Sequence, residues 1–190
     1  MHRLDAIAPE RIAPGAFCTT LLHEHECRRL RALLEVSEDW NSSGAVGSAV
    51  LPGERMTPEM LIYAEAVHRL VDAHILETEH SVFGDRTWPA VVCQEFRRGS
   101  HTSARVAEAC FSGGSRALTV LLALAIDETE PFAQGEGDIV LTSDGGCALA
   151  LAVPAGTAVA VDGSWTLTAY GSRTDLLVEY VRADAEGAVR

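Results

Sequence analysis

Histidine and cysteine are the residues of this 190-residue sequence that could ligate a metal or move protons near neutral pH. All seven histidines lie between positions 2 and 101, so none follows His101. The five cysteines are widely spaced and include no Cys-x-x-Cys pair, which argues against zinc ribbons and thioredoxin-like redox motifs. We expect buried free thiols in a reducing compartment, and the protein is therefore predicted to be cytoplasmic.

Four of the histidines form pairs that are better explained as surface residues than as metal ligands. His23 and His25 lie where a predicted helix begins, which favours exposed capping residues. His68 and His74 are six positions apart on a second predicted helix, a rotation of about 600°, so they do not share a face. His68 and His74 are therefore expected to be solvent-exposed.

His101 and Arg105 are the candidate catalytic residues. Histidine titrates near neutral pH, so His101, which stands between Arg98 and Arg105, is suited to general acid/base catalysis. Arg105 would supply a cation for an anionic substrate. The alternative for Arg105 is an exposed salt bridge with Glu95 or Glu108.

Composition excludes several classes of function. The net charge of −12 argues against nucleic acid, whose phosphates would be repelled. All 15 basic residues are arginine, which rules out Schiff-base chemistry and a phosphate-loop lysine. The longest apolar run, residues 117–126, is too short to span a bilayer, and the first residues do not resemble a signal peptide.

The chain is predicted to form one mostly β (α+β) domain, with two N-terminal helices packed on a curved antiparallel sheet of the jelly-roll kind. Residues 1–84 are expected to be mainly helical, 85–182 to form the β core and 183–190 to be a tail. The first helix covers residues 24–36, a loop covers 41–52, and a second helix begins at Thr57-Pro58. Predicted strands are residues 91–96, 117–126, 138–142, 148–153, 158–161, 165–170 and 176–181.

A family resemblance rests on six segments that follow one another along the chain. They are residues 17–27, Glu95-Phe96-Arg97-Arg98-Gly99, residues 116–124, residues 134–141, Pro154-Ala155-Gly156-Thr157-Ala158-Val159 and Gly171-Ser172-Arg173. Together they resemble the prolyl-4-hydroxylase-like members of the 2-oxoglutarate/Fe(II) oxygenase superfamily. The resemblance implies a double-stranded β-helix whose iron is held by His-x-Asp and a distant histidine, with 2-oxoglutarate completing the coordination. It also implies that Arg173 holds the far carboxylate of 2-oxoglutarate.

The sequence departs from the family pattern at the iron ligands, so the iron site is expected to be degenerate. The His-x-Asp slot aligns either with His101-Thr102-Ser103 or with Arg105-Val106-Ala107, and neither supplies a carboxylate. The distant histidine would lie near Gly163, where the chain offers only Asp162. A tyrosine that contacts 2-oxoglutarate in relatives falls near Ala123.

Arg173, Trp165 and Tyr170 are the candidate substrate-binding residues. An arginine in a barrel core needs a partner, because an unpaired buried charge is costly. A ligand carboxylate held by two hydrogen bonds is one answer, and an internal Asp or Glu is the other. Trp165 and Tyr170 either line the same cavity or are core aromatic residues.

Three functions follow from these expectations. The first is an oxygenase-fold protein without iron or other cofactor that binds a small molecule, such as a carboxylate, and catalyses a metal-free, non-oxidative step. The second is an active Fe(II)/2-oxoglutarate oxygenase with an unusual ligand set. The third is a non-catalytic module that binds a protein partner or a second copy of the chain.

Overall fold

The structure is a computed structural model that describes residues 8–42, 48–75, 90–99, 104–105, 116–126, 139–143, 145–169 and 173–181. Within these ranges it is mostly β, with two α-helices, as the sequence predicts. No helix in this part of the chain is both long and apolar enough to cross a bilayer.

Both predicted helices are confirmed, and each begins with the capping chemistry that its sequence suggests. Helix α1 (Glu24–Glu35) starts after His23, whose backbone N–H donates to the Glu26 carboxylate at 2.8 Å. Helix α2 (Pro58–Leu70) starts after Thr57, whose hydroxyl oxygen accepts from the backbone N–H of Met60. These bonds satisfy N–H groups that have no partner inside the helix. A π-helical turn, Val71–Ile75, extends α2.

The strands form two antiparallel sheets. The smaller one consists of β6 (Ala104–Arg105), β8 (Ile139–Ser143), β9 (Ala148–Leu151) and β11 (Trp165–Ala169), in the order β6-β11-β8-β9. The larger one has the order β1-β2-β10-β7-β12-β5-β4-β3. Its strands are β1 (Glu10–Ala13), β2 (Ala16–Thr20), β3 (Asn41–Ser42), β4 (Ala49–Pro52), β5 (Ala90–Gly99), β7 (Arg116–Ile126), β10 (Thr157–Val161) and β12 (Arg173–Val181).

The larger sheet packs against other elements on both faces, and its strands β7 and β10 are therefore almost entirely apolar in sequence. One face packs against the helices through residues such as Phe96, Leu122 and Leu176. The other face packs against the smaller sheet through residues such as Leu121 and Leu177. Neighbouring residues of one strand thus enter different cores, because side chains alternate across a sheet.

Two expectations about the N-terminal part need correction. Residues 41–52 were expected to be a loop, but β3 and β4 lie there and extend the larger sheet beyond β5. Leu61 was expected to lie on the buried stripe of α2, but its side chain is 41% exposed. Ala64, Val67 and Val71 are buried as predicted, and Met60 and Tyr63 take the place of Leu61 on the buried face.

The turn before β10 connects strand β7 to the segment that precedes α1. Gly156 adopts a φ of +89°, and its carbonyl oxygen accepts from the N–H groups of Leu21 and Leu22 at 2.8 and 3.0 Å. Its own N–H donates to the Ala123 carbonyl at 2.7 Å. A Cβ at position 156 would lie 2.1 Å from the Leu22 carbonyl oxygen, so only glycine fits.

Candidate functional site

Three of the five predicted site residues belong to described strands. Arg105 ends β6 and pairs with Thr168 of β11, while Arg173 begins β12. Trp165 begins β11 and lies at the opposite end of that strand from the pairing with β6. His101 and Tyr170 lie outside the described residues, as does the side chain of Arg105.

Arg173 and Asp175 form a buried ion pair that faces the interior between the two sheets. The Nε–H of Arg173 donates to Oδ2 of Asp175 at 2.6 Å, and an Nη2–H donates to Oδ1 at 2.7 Å. The two side chains are 5% and 7% exposed. Two parallel bonds between a guanidinium and a carboxylate are the strong, geometrically specific form of this interaction. Of the two partners that the sequence left open for Arg173, the structure shows the internal one.

A second ion pair lies beside the first on strand β5. The Nε–H of Arg97 donates to the carboxylate of Glu95, again across two residues of one strand. Arg97 is the cross-strand partner of Asp175, so both point to the same face of the sheet. Glu179, also on this face, is 3% exposed. Three carboxylates and two guanidinium groups therefore share the inner face of β5 and β12.

Trp165 lies at the opposite end of β11 from the pairing with β6. Its Nε1–H donates to the Pro14 carbonyl at 2.7 Å, and its ring packs against the core between the sheets. Ala169 is four positions further along the strand, a distance of about 13 Å. Its contacts are those of a residue that holds the β1–β2 turn to the barrel, and its role in ligand binding stays a prediction.

The place expected for a distant iron ligand lies at that same far end. Gly163 is in the turn between β10 and β11, where Asp162 accepts hydrogen bonds from the backbone and hydroxyl of Ser164. Strand β6, which adjoins the His-x-Asp slot, pairs with the other end of β11 and runs antiparallel to it. The residues that follow Arg105 lie outside the described residues, so the ligand position near Gly163 stays a prediction.

The residues of β11 that pair with β6 are Thr168 and Ala169. Ala169 is the cross-strand partner of Ala104, and its side chain is 3% exposed within the core between the sheets. The sequence of β11, Trp165–Ala169, contains no residue that ligates iron. Across the described ranges, no group of three or more His, Cys, Asp or Glu side chains is placed to hold a metal ion.

His68 departs from expectation, because it is half-buried and bonded at both ring nitrogens. Nδ1 lies 2.7 Å from the Tyr180 hydroxyl, and Nε2 lies 2.9 Å from Oε1 of Gln94. A glutamine oxygen only accepts, so Nε2 carries the proton and Nδ1 accepts from Tyr180. Burial raises the pKa of Tyr180 above its ordinary value, with smaller contributions from the negative charges of Asp72 and Glu65.

This histidine lies on the helix-facing side of the larger sheet, away from the ion pairs. Tyr180 belongs to the core beneath the helices, whereas Arg173 and Asp175 point between the sheets. No local sequence pattern could have predicted this hydrogen bond, because His68 and Tyr180 are 112 positions apart. We interpret the His68 cluster as a structural network.

Comparison with solved structures shows the fold. A prolyl-4-hydroxylase from Pseudomonas putida is similar with a TM-score of 0.60 and 16% sequence identity, covering 90% of this chain and 94% of that one. A prolyl hydroxylase from Trichoplax adhaerens, solved with a peptide fragment of hypoxia inducible factor, has a TM-score of 0.58 at 14% identity. That match covers 88% of this chain and 84% of the other. HygX from Streptomyces hygroscopicus, solved with nickel and 2-oxoglutarate, has a TM-score of 0.61 at 11% identity. The match covers 92% of this chain and 88% of that one.

The fold predicted from the resemblance is thus confirmed: the chain has the jelly-roll fold of 2-oxoglutarate/Fe(II) oxygenases, prolyl hydroxylases among them. No protein-family model matches the sequence, and no curated protein is significantly similar to it. The likeness therefore concerns architecture, and the chemistry has to be argued from this chain's own residues.

Proposed function

We propose that this protein binds a small molecule on the oxygenase scaffold without an iron centre, and that it acts by metal-free, non-oxidative chemistry. The observation that carries the proposal is the sequence of β11, Trp165–Ala169, in which no side chain is a usual iron ligand. At its junction with β6, which adjoins the His-x-Asp slot, this strand contributes Thr168 and Ala169.

Iron does not fit the residues at this junction. A mononuclear iron site of this kind needs two histidines and a carboxylate, or a close substitute. His101 is the last histidine of the chain, so the imidazole that β11 or β12 would have to supply does not exist in the sequence. We therefore derive no reaction step through iron.

The ligand's place is at the end of the barrel, because side chains fill its middle. Leu141, Leu167 and Leu177 come from three different strands and are each 0% exposed. Interiors packed to this degree leave no room for a ligand without rearrangement. The proposed place is the end formed by the start of β6, the end of β11 and the start of β12, because His101, Arg105 and Tyr170 are within a few positions of these strand ends in the sequence.

His101 and Arg105 have the chemistry that a metal-free step requires. A neutral imidazole accepts a proton from a substrate and returns it to another atom, which serves a proton transfer, a cyclisation or an elimination. A guanidinium stays protonated throughout and stabilises the anion that forms after proton removal. We propose His101 as the general acid/base and Arg105 as the anion-binding group, with Tyr170 lining the same end.

Two measurements on the purified protein test this function. Anaerobic titration with ferrous iron and 2-oxoglutarate should give no visible charge-transfer band, and added oxygen should not be consumed. A thermal-shift screen of small metabolites should yield ligands, since one present at about 100 times its Kd stabilises by about 2.7 kcal/mol. His101→Ala and Arg105→Ala should weaken those ligands without lowering the melting temperature of the unliganded protein.

The same measurements identify the other two functions. Stoichiometric iron held by side chains, together with 2-oxoglutarate-dependent oxygen consumption, would establish an oxygenase and overturn the proposal. A protein that co-purifies stoichiometrically, with no small-molecule ligand in the screen, would establish an interaction module.

A further inference from the structure

We infer that Asp175 is an internal occupant of the carboxylate-binding edge of Arg173, and that it excludes 2-oxoglutarate and similar acids from this arginine. The inference deepens the proposed function by naming a ligand class that the site rejects and the residue that rejects it. It rests on the geometry of one buried pair.

Strand geometry places the carboxylate beside the guanidinium. Arg173, Asp175 and Leu177 alternate along β12, and all three point between the sheets, where Leu177 joins the inter-sheet core. Residues two apart on one strand face share the same surroundings. Asp175 needs no help from another element to reach Arg173.

The edge of Arg173 that Asp175 uses is the one that a ligand carboxylate would need. Nε and Nη2 each donate to a different oxygen of Asp175, at 2.6 and 2.7 Å, so both members of this fork are engaged. A ligand carboxylate would have to take Asp175's place at both nitrogens.

Such an exchange is unfavourable for two physical reasons. Asp175 is tethered to the same strand, so its effective concentration at Arg173 exceeds that of a free acid, which also loses translational freedom on binding. Displacing Asp175 would also break two hydrogen bonds between buried charged groups, and breaking a buried pair of this kind is costly.

The surrounding charges also oppose a second carboxylate. Arg97 lies directly across from Asp175 but bonds to Glu95, and Glu179 adds a third carboxylate on this face. With three acidic groups against two guanidinium groups, the inner face of β5 and β12 carries no net positive charge to attract an anion.

The test measures binding of glutarate and 2-oxoglutarate, by calorimetry and thermal shift, to the wild-type chain and to Asp175→Ala. Glutaramide, which has the same length without charge, is the ligand control. The wild-type protein should bind neither acid at 10 mM, about the upper limit for a specific weak ligand. Asp175→Ala should bind both acids at least tenfold more tightly than wild type and should not respond to glutaramide.

Two further variants keep the test decisive if Asp175→Ala is unstable. Asp175→Asn retains the side-chain shape and removes the charge, while Arg173→Met combined with Asp175→Leu replaces the pair by apolar groups, a change that buried pairs often tolerate. Added acetate should raise the melting temperature of Asp175→Ala by restoring a carboxylate at Arg173. It should not raise that of the Met/Leu variant.

Binding of 2-oxoglutarate to the wild-type protein that Arg173→Met abolishes would overturn the inference. So would folded Asp175→Ala and Asp175→Asn proteins that gain neither acid binding nor stabilisation by acetate. Neither result bears on the proposed function, which fails only on iron-dependent oxygen consumption or on the absence of any small-molecule ligand.

Discussion

Nδ1 of His68 lies 2.7 Å from the hydroxyl oxygen of Tyr180, across the interface between α2 and β12. The two rings meet edge to face, with centroids 5.7 Å apart. Because Gln94 holds the other ring nitrogen, the histidine ties the second helix to two central strands of the larger sheet. This contact places a hydrogen-bonded polar cluster in the interface between the helix and the sheet.

Tyr180→Phe is expected to lower the free energy of unfolding by about 1–2 kcal/mol, because it leaves the acceptor Nδ1 of His68 without its donor in a half-buried place. Urea unfolding followed by circular dichroism measures the loss. His25→Ala is the control: this exposed histidine should change stability by less than about 0.5 kcal/mol. A Tyr180→Phe protein as stable as wild type would contradict the assigned hydrogen bond.

Stability is expected to fall at alkaline pH, with Tyr180 as a main cause. Burial raises the pKa of its hydroxyl in the folded protein, while the unfolded value is about 10. Above about pH 10 the folded state then binds more protons than the unfolded state, so stability decreases as pH rises. Below that pH both states are protonated and the contribution is fully present.

Tyr180→Phe should flatten this decline when urea midpoints are compared between pH 8 and 11. A residual slope should remain, because burial also raises the pKa values of the Cys27 thiol and the Tyr63 hydroxyl. Equal slopes for the variant and the wild type would show that Tyr180 ionises in the folded protein as freely as in the unfolded one.

The layer structure could be predicted from local patterns. Thr57-Pro58 marks the start of α2, and the apolar stripe of α1 through Leu30 and Leu34 is buried as expected. Strands β7 and β11 lie within one residue of their predicted limits, because long apolar runs and alternating segments are strong local signals. The short strands β3 and β4 were not predicted, since their pairing with β5 is non-local and their composition is that of a loop.

Gly156→Ala is expected to destabilise the protein by about 3 kcal/mol or more, adding a steric clash to the cost of a positive φ. Gly146→Ala is a matched control, because Gly146 also has a positive φ of 80° but nothing within 4 Å of its added Cβ. It should cost only the backbone strain of about 1 kcal/mol. Urea unfolding of both variants separates the cost of the steric clash from the cost of the backbone strain. Equal losses in the free energy of unfolding would contradict the close approach of position 156 to Leu22.

The site was harder to predict than the fold, for identifiable reasons. The predicted last strand began at Leu176, so Arg173 and Asp175 fell outside it and their shared face was not recognised. Strand β12 starts at Arg173, and alternation from that residue would have paired the two side chains. The distant ligand position near Gly163 was counted along the sequence from Arg173 and stays a prediction. Sheet register, such as the pairing of Ala169 with Ala104, is a property of the folded chain that counting along the sequence does not reveal.

Trp165→Phe separates packing from ligand binding. It removes the hydrogen bond from Nε1 to the Pro14 carbonyl, so the free energy of unfolding should fall by about 1 kcal/mol. The affinity for any ligand found by thermal shift should stay within about twofold of wild type, a free-energy change under about 0.5 kcal/mol, because Trp165 lies about 13 Å along β11 from the β6 junction. Arg105→Ala should show the opposite behaviour, with ligand affinity lost and urea stability retained. A tenfold or greater loss of ligand affinity in Trp165→Phe would move the binding site to the other end of the barrel.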